Sequence, residues 1–267
     1  MNCRLVFYQV SYFNLPETGP AHLGLQAALD QVLVALAQMP THRYPNKSEN
    51  QLGKDVLQSM LNAHVRHVLM EHDWECEVSA YTTRQGQPSP DRCDLGRLLG
   101  THRLLMEVEF GNGASNERNL SKFMCAFRGG ELDLAIYIVP TSKMGKRIDS
   151  GLTLYETVCR DLEGYPEGHV TCPLVVIGLD IDDNHTVDWS QSGVGNPTLL
   201  SATNGQLASL THFIEQYRDG IVLQDITVPH EPSVQKRLKA VSRRMHSARN
   251  KKASAGALPD VEQMQLL

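Results

Sequence analysis

Apolar residues at Leu23, Leu25, Leu29, Val32, Leu33 and Leu36 recur at helical spacing, and Pro40 ends the run, which predicts a helix over 22–38. After a polar loop, Ser48-Glu49-Asn50-Gln51 has the form of a capping box and opens a second predicted helix. It continues through Val56, Met60, Leu61, Val65 and Val68 to about Glu71. Both helices read as amphipathic, and one could also serve a dimer interface. Residues 74–80 read as a strand and the polar, proline-bearing 82–91 as a loop. Strands follow near Cys93-Asp94-Leu95 and over 104–110, joined by a turn around Gly100. A helix over 116–128 stops at Gly129-Gly130, a strand over 132–139 closes at Pro140, and a helix covers 153–162. Leu174–Leu179 (LVVIGL) is a continuous apolar strand of the kind buried on both faces of a sheet. The order strand, strand, helix, strand, helix, strand predicts an α/β sandwich. Beyond about residue 185 come a loop rich in Gly, Ser and Asn (191–205), a short helix (206–218), a basic segment and a loose tail over 250–262. There is no internal repeat.

Composition changes this picture little. At 267 residues, with 41% hydrophobic and 21% charged residues, the chain can bury one sizeable core. Residues 1–185 are expected to hold that core with its N-terminal helices, and 186–267 to be an extension of the same domain. No apolar run has the length of a membrane span, and the N-terminus lacks a signal layout. Six cysteines without a CxxC pair read as reduced thiols of a cytoplasmic protein, and make a zinc site an unfavoured expectation. The net charge of −5 argues against a protein that coats nucleic acid nonspecifically. Charge is nevertheless segregated: Lys236, Arg237, Lys239, Arg243, Arg244, Arg249, Lys251 and Lys252 crowd together. Such a run is either a solvated face or an arm that tracks phosphates.

The chemistry concentrates in Met106-Glu107-Val108-Glu109-Phe110-Gly111-Asn112. In an extended chain Glu107 and Glu109 share one face, while Met106, Val108 and Phe110 point into a core. Glu-x-Glu on a half-exposed strand is by itself usually a solvated face. If buried, however, two like charges require something positive, and a divalent cation with oxygen ligands supplies it. An Asp, a turn, and Glu-x-Glu on the returning strand is the carboxylate layout of a metal-dependent nuclease. Phosphodiester hydrolysis needs a positioned water, a route for its proton, and charge compensation, which one or two Mg²⁺ ions can provide. Asp94 is the candidate bridging ligand and Glu107 the second. Glu109 stands where many such nucleases carry lysine, so it would bind a second metal or take the proton. Asp91 competes with Asp94 for its role, and Glu77 could add a ligand.

From Asp94 to about Asp180 the chain resembles the BglII/BstYI group of type II restriction endonucleases, relatives of BamHI within the PD-(D/E)XK fold. Four segments carry the resemblance in order: Cys93-Asp94-Leu-Gly-Arg97; Met106-Glu107-Val-Glu109-Phe-Gly-Asn112; Ile138-Val-Pro140 with Arg147-Ile-Asp-Ser-Gly151 and Tyr155-Glu156; and Cys172-Pro-Leu-Val-Val-Ile-Gly-Leu179. It implies a PD-(D/E)XK restriction-endonuclease-like core, a mixed β-sheet flanked by helices, with a C-terminal extension. It puts Asp94, Glu107 and Glu109 in the catalytic and metal-binding roles. Two departures stand out: Glu109 replaces the group's usual Gln, as in BamHI, and the turn between Asp94 and Glu107 is longer.

The resemblance also suggests where DNA is read. Asn112 matches a polar, base-contacting position after the active-site strand, and Asn can pair bidentately with adenine. The predicted loop 141–150 offers Ser142, Lys143, Asp149 and Ser150, a mixture of phosphate binders and short polar readers. Tyr155 and Glu156 read as structural. The expectation is a homodimeric, Mg²⁺-dependent endonuclease that cuts double-stranded DNA at a short palindromic site, with no membrane or small-molecule cofactor. The alternatives are a structure-specific repair nuclease of this fold, a non-catalytic sequence-specific DNA-binding protein, and an α/β protein unrelated to nucleic acid.

Overall fold

A computed structural model describes residues 8–15, 20–21, 24–45, 47, 53–197 and 206–227. Its elements are β1 (Tyr8–Phe13), α1 (Gln26–Gln38), β2 (Thr41–Arg43), α2 (Gln58–Met70), β3 (Glu75–Ser79), β4 (Arg92–Leu99) and β5 (His102–Val108). There follow α3 (Ser115–Arg128), β6 (Leu134–Pro140), α4 (Ser142–Ile148), α5 (Tyr155–Gly164), β7 (Leu174–Leu179), β8 (Thr186–Asp188) and α6 (Gln206–Arg218). Six strands form one sheet in the order β1-β7-β6-β5-β4-β3, and β2 pairs with β8 separately. The sheet is mixed: β5, β6 and β7 run parallel, while β1, β3 and β4 each lie antiparallel to their neighbours.

Side-chain alternation divides the core into two layers. On β6, Leu134, Ile136 and Ile138 face a cluster built with Leu29, Val32 and Leu36 of α1 and Val65 of α2. Ala135, Tyr137 and Val139 face the other side, against Leu120 and Phe123 of α3 and Val158 of α5. The strands buried on both faces are thus the near-continuous apolar runs of the sequence. A third cluster gathers Leu57 with Met60 and Ala63 of α2, with Trp189 and with Phe213 and Ile214 of α6, so α2 is covered on two sides.

Most predicted elements are present, and the departures have physical causes. Helix α2 begins at Gln58, later than its apolar spacing suggests, because the preceding backbone is used elsewhere. The Val56 amide donates to Arg147 O and the Leu57 amide to His42 O. The predicted capping box over 48–51 lies outside the described residues. The predicted loop 141–150 is instead largely a helix, α4: Thr141 caps it through its hydroxyl, and Met144 and Ile148, four residues apart, are buried. A short polar run around two anchors conceals that helix. Strands β1, β2 and β8 were not foreseen, since β1 is an edge strand and the other two have three residues each. The basic segment 236–252 lies outside the described residues.

Candidate active site

The β4–β5 hairpin turns at Gly100, whose φ of 61° is the left-handed conformation glycine adopts without strain. Its ladder pairs Leu99 with His102 and runs to Leu95 opposite Met106. There it stops. Asp94 Oδ2 accepts the Val108 amide at 2.8 Å, so a carboxylate takes over a backbone position. Side-chain alternation changes at the same point: Cys93 belongs to the α3 layer and Leu95 to the α1–α2 layer. On neighbouring β3, Glu77 has a φ of 54°, a conformation costing a non-glycine residue about 1 kcal/mol. Arg66 of α2 joins these irregular places, bonding Glu77 at 2.6 Å and Asp94 Oδ1 at 2.5 Å. Burial disfavours the Arg66 charge, but Asp94 and then Glu77 outweigh it and raise its pKa.

Glu107 is 5% exposed and lies on the α3 side of β5. Its Oε1 forms an ion pair with Lys122, itself buried, which also donates to Arg92 O of β4 at 2.9 Å. Burial, then the nearby Asp94 charge, push the Glu107 carboxyl up to about 7, against the opposing pull of Lys122. Met106, Val108 and Phe110 point into the opposite layer, as alternation requires. Glu109 follows the end of β5. Its Oε1 accepts the Gly111 amide at 2.8 Å and its Oε2 accepts Asn119 Nδ2 at 3.2 Å. Both carboxylates of the Glu-x-Glu therefore meet α3, and Asp94 reaches β5 beside them.

The competing Asp91 is exposed and accepts the Tyr81 hydroxyl at 2.9 Å. Glu77 connects to Asp94 through their shared arginine. Among the described residues, no three His, Cys, Asp or Glu side chains converge as a ligand set for a metal ion. The donor chemistry of the pair still fits a hard divalent cation: two oxygen donors of like charge, one of them buried and raised by the other.

The candidate DNA-reading residues fall in two places. Asn112 is exposed, caps the Ala114 amide, and stands opposite Leu152 as an isolated bridge. The Gly113 amide bonds Gly151 O and the Thr153 amide bonds Gly111 O. This zips 111–113 to 151–153 and brings Asn112 close in the fold to exposed Asp149 and Ser150. Ser142 and Lys143 sit at the other end of α4. The Ser142 amide and hydroxyl both donate to Glu156, which gives Glu156 the structural role expected of it. Lys143 is exposed, 3.6 Å from Asp180.

Sequence reasoning missed Arg66, Asn119 and Lys122. The available signal was a polar stripe at Asn116, Asn119 and Lys122, three residues apart on a helix whose neighbours Leu120 and Phe123 are apolar.

A mixed sheet covered on both faces by helices, with paired carboxylates beside its antiparallel hairpin, defines an α/β sandwich. The crystal structure of restriction endonuclease BglII complexed with a DNA 16-mer matches with a TM-score of 0.53 at 16% identity, covering 66% of this chain and 79% of that one. The family model described as "Restriction endonuclease BglII/BglIII" matches residues 23–179, and the chain belongs to that family. It is also similar to the type II restriction enzyme BamHI of Bacillus amyloliquefaciens, 31% identical over 80 residues. That match spans 30% of this chain and 36% of the relative, about a third of its length. Among the described residues no helix is long and apolar enough to cross a membrane.

Proposed function

We propose that this protein is a type II restriction endonuclease that hydrolyses phosphodiester bonds of double-stranded DNA at a short palindromic site, as a Mg²⁺-dependent homodimer in the cytoplasm. The observation that carries the reading is the burial of Glu107 beside Asp94 at the end of the β4–β5 ladder, in a chain of the BglII family. Lys122 and Arg66 offset part of this like charge, the Glu107 carboxyl stays raised all the same, and a bound divalent ion would relieve the remainder. Asp94, Glu107 and Glu109 are the carboxylates assigned to hold Mg²⁺, with Asp94 favoured over Asp91 by its bond to the Val108 amide. The ion supplies charge compensation for the phosphate and a more acidic water. Glu109, the more accessible of the two glutamates, is suited to accept the proton of the attacking water.

Asn112, Asp149 and Ser150 are the assigned base readers, and Ser142 and Lys143 the assigned phosphate contacts. The similarity to a BglII structure solved with DNA supports DNA as the partner. Two-fold symmetry follows from function: a palindrome needs two copies of one reading surface. The test is incubation of the purified protein with plasmid and phage DNA, with Mg²⁺ and with EDTA. Discrete fragments that require Mg²⁺ are expected, with Glu107→Ala binding DNA but not cutting it. Normal cutting by Glu107→Ala sinks the assignment. Cleavage without fixed fragments favours a nuclease that reads structure, and specific binding without cleavage favours a non-catalytic DNA-binding protein.

A further inference from the structure

One helix reaches both carboxylates of the Glu-x-Glu. Residues two apart on a strand share a face, as do residues three apart on a helix. Glu107 and Glu109 are related in the first way, Lys122 and Asn119 in the second. The pairing runs in opposite chain directions: the earlier glutamate meets the later helix residue. Lys122 grips Glu107 and the Arg92 carbonyl together, tying α3 to both strands of the hairpin. Asn119 holds Glu109 Oε2 with an amide hydrogen directed at it from 3.2 Å, and lies 3.4 Å from the Tyr137 hydroxyl.

These are unfavourable choices for a helix packed against a sheet. Lys122 is 6% exposed and Asn119 is 1% exposed, among Leu120, Phe123 and Ala126. The carbonyl oxygens of Asn119 and Asn116 find no hydrogen-bond partner among the described residues. Apolar side chains there would avoid these desolvation costs. The polar stripe is explained if its product is the placement of two carboxylates. The same helix begins three residues beyond Asn112, so the surface assigned to DNA and the carboxylates share one rigid support.

We propose that Asn119 and Lys122 are positioning residues, Asn119 fixing the Glu109 carboxylate and Lys122 fixing that of Glu107. This rests on the nuclease reading above. Neither residue is assigned contact with DNA; each acts through the glutamate it holds.

The test compares wild type with Asn119→Asp, which is isosteric but lacks the amide donor, and with Lys122→Met. Lys122→Gln serves where Met prevents folding, since it keeps a donor without the charge. Three quantities are read: kcat and KM for cleavage, DNA affinity in Ca²⁺, and binding of Mn²⁺ alone followed by electron paramagnetic resonance. Each variant is expected to lower kcat about tenfold or more, as small misplacements of catalytic groups do. KM and DNA affinity should hold within about threefold, since the reading surface is unaltered. Mn²⁺ binding should weaken in the Lys122 variants. In a Glu109→Gln background, Asn119→Asp should add little to the loss, because one residue acts through the other.

Unchanged kcat in folded variants overturns the proposal, as does full additivity with Glu109→Gln or a parallel loss of DNA affinity. A wild-type protein that neither cuts DNA nor binds Mn²⁺ overturns the nuclease reading itself. Variants that cut as well as a cutting wild type overturn only the positioning roles.

Discussion

Two regions of this molecule bury polar side chains, and they do so in opposite ways. In the third cluster His42, His64 and Trp189 form a neutral chain. Trp189 Nε1 donates to His42 Nδ1 at 3.0 Å, so His42 carries its proton on Nε2 and donates to His64 Nδ1 at 2.8 Å. Burial, reinforced by His64 and His185, holds His42 well below the usual imidazole range. Burial, with the charges of Arg218 and His67 and against Glu71, brings His64 down to about 3. At the end of the β4–β5 hairpin the matching is incomplete: Glu107 is raised by burial and then by the neighbouring Asp94 carboxylate, and the Asn116 and Asn119 carbonyls find no partner among the described residues, while exposed Glu77 holds a left-handed backbone nearby. Fully matched neutral groups stabilise one arrangement and specify the packing of α2 and α6. Charged, partly matched groups on an irregular backbone mark a place whose arrangement serves something other than stability.

The sharpest way to break this contrast is to neutralise a group in the carboxylate region. Glu107→Gln keeps the volume and an acceptor for Lys122 while removing a charge that burial opposes. Cleavage should fall by about 10³-fold or more, from loss of metal and transition-state stabilisation. The melting temperature should fall only modestly, because buried Lys122 loses its charged partner while Glu107 sheds a charge that burial opposes. A variant that melts much lower while cutting normally would make Glu107 structural and erase the distinction.

Acid should act through the histidine region. An unfolded chain takes up protons on both imidazoles below about pH 6.5, and the folded protein refuses them until far lower, near 3 for His64. Stability is therefore complete above pH 6.5, declines as pH falls, and stops declining through these groups near the folded-state values. Between pH 6.5 and 5 the two histidines together contribute a loss of roughly 2–4 kcal/mol, since each unit of pKa difference corresponds to about 1.4 kcal/mol. Urea titrations at both pH values measure it, and His42→Leu should flatten the profile. Trp189→Phe is the smaller intervention. It leaves His42 Nδ1 buried without its donor, at a cost of about 1–3 kcal/mol, and should leave kcat unchanged. A drop in kcat at equal folded fraction would couple the two regions, which share helix α2 through His64 and Arg66.

How far these regions were legible in the sequence differs for the same physical reason. The carboxylates could be read because strand alternation and the Gly100 turn fix which residues of 92–110 face which layer. Asp94 comes beside Glu107 through a local hairpin contact, its bond to the Val108 amide 14 residues along the chain. Their partners could not be read so directly. Arg66 lies on a different helix, and its pairing with Asp94 depends on how α2 crosses the sheet. Lys122 and Asn119 look in sequence like the solvated side of an amphipathic helix, and only tertiary burial reverses that. The histidine chain was invisible, since His42, His64 and Trp189 are separated by up to 147 residues and β2 and β8 are too short for periodicity. Helix α4 was missed because its two anchors sit in a run that is otherwise polar.

The finest test uses a position where activity and stability should separate by design. Gly111 donates its amide to Glu109 Oε1, and a Cβ added at residue 111 would lie 2.8 Å from that same oxygen. Real carbon atoms do not approach so closely, so something must yield. The nearest obstacle is the far end of a side chain rather than backbone, and Glu109 can rotate away at little cost in folding. Gly111→Ala should therefore leave the melting temperature nearly unchanged. It should lower kcat about three- to tenfold, roughly 1 kcal/mol in barrier, by moving the carboxylate off its amide donor. Glu109→Gln combined with Gly111→Ala should show the two losses to be non-additive. If Gly111→Ala instead lowers stability without affecting the folded enzyme's rate, Glu109 is held for packing, and the carboxylate region is less unlike the histidine region than its charges imply.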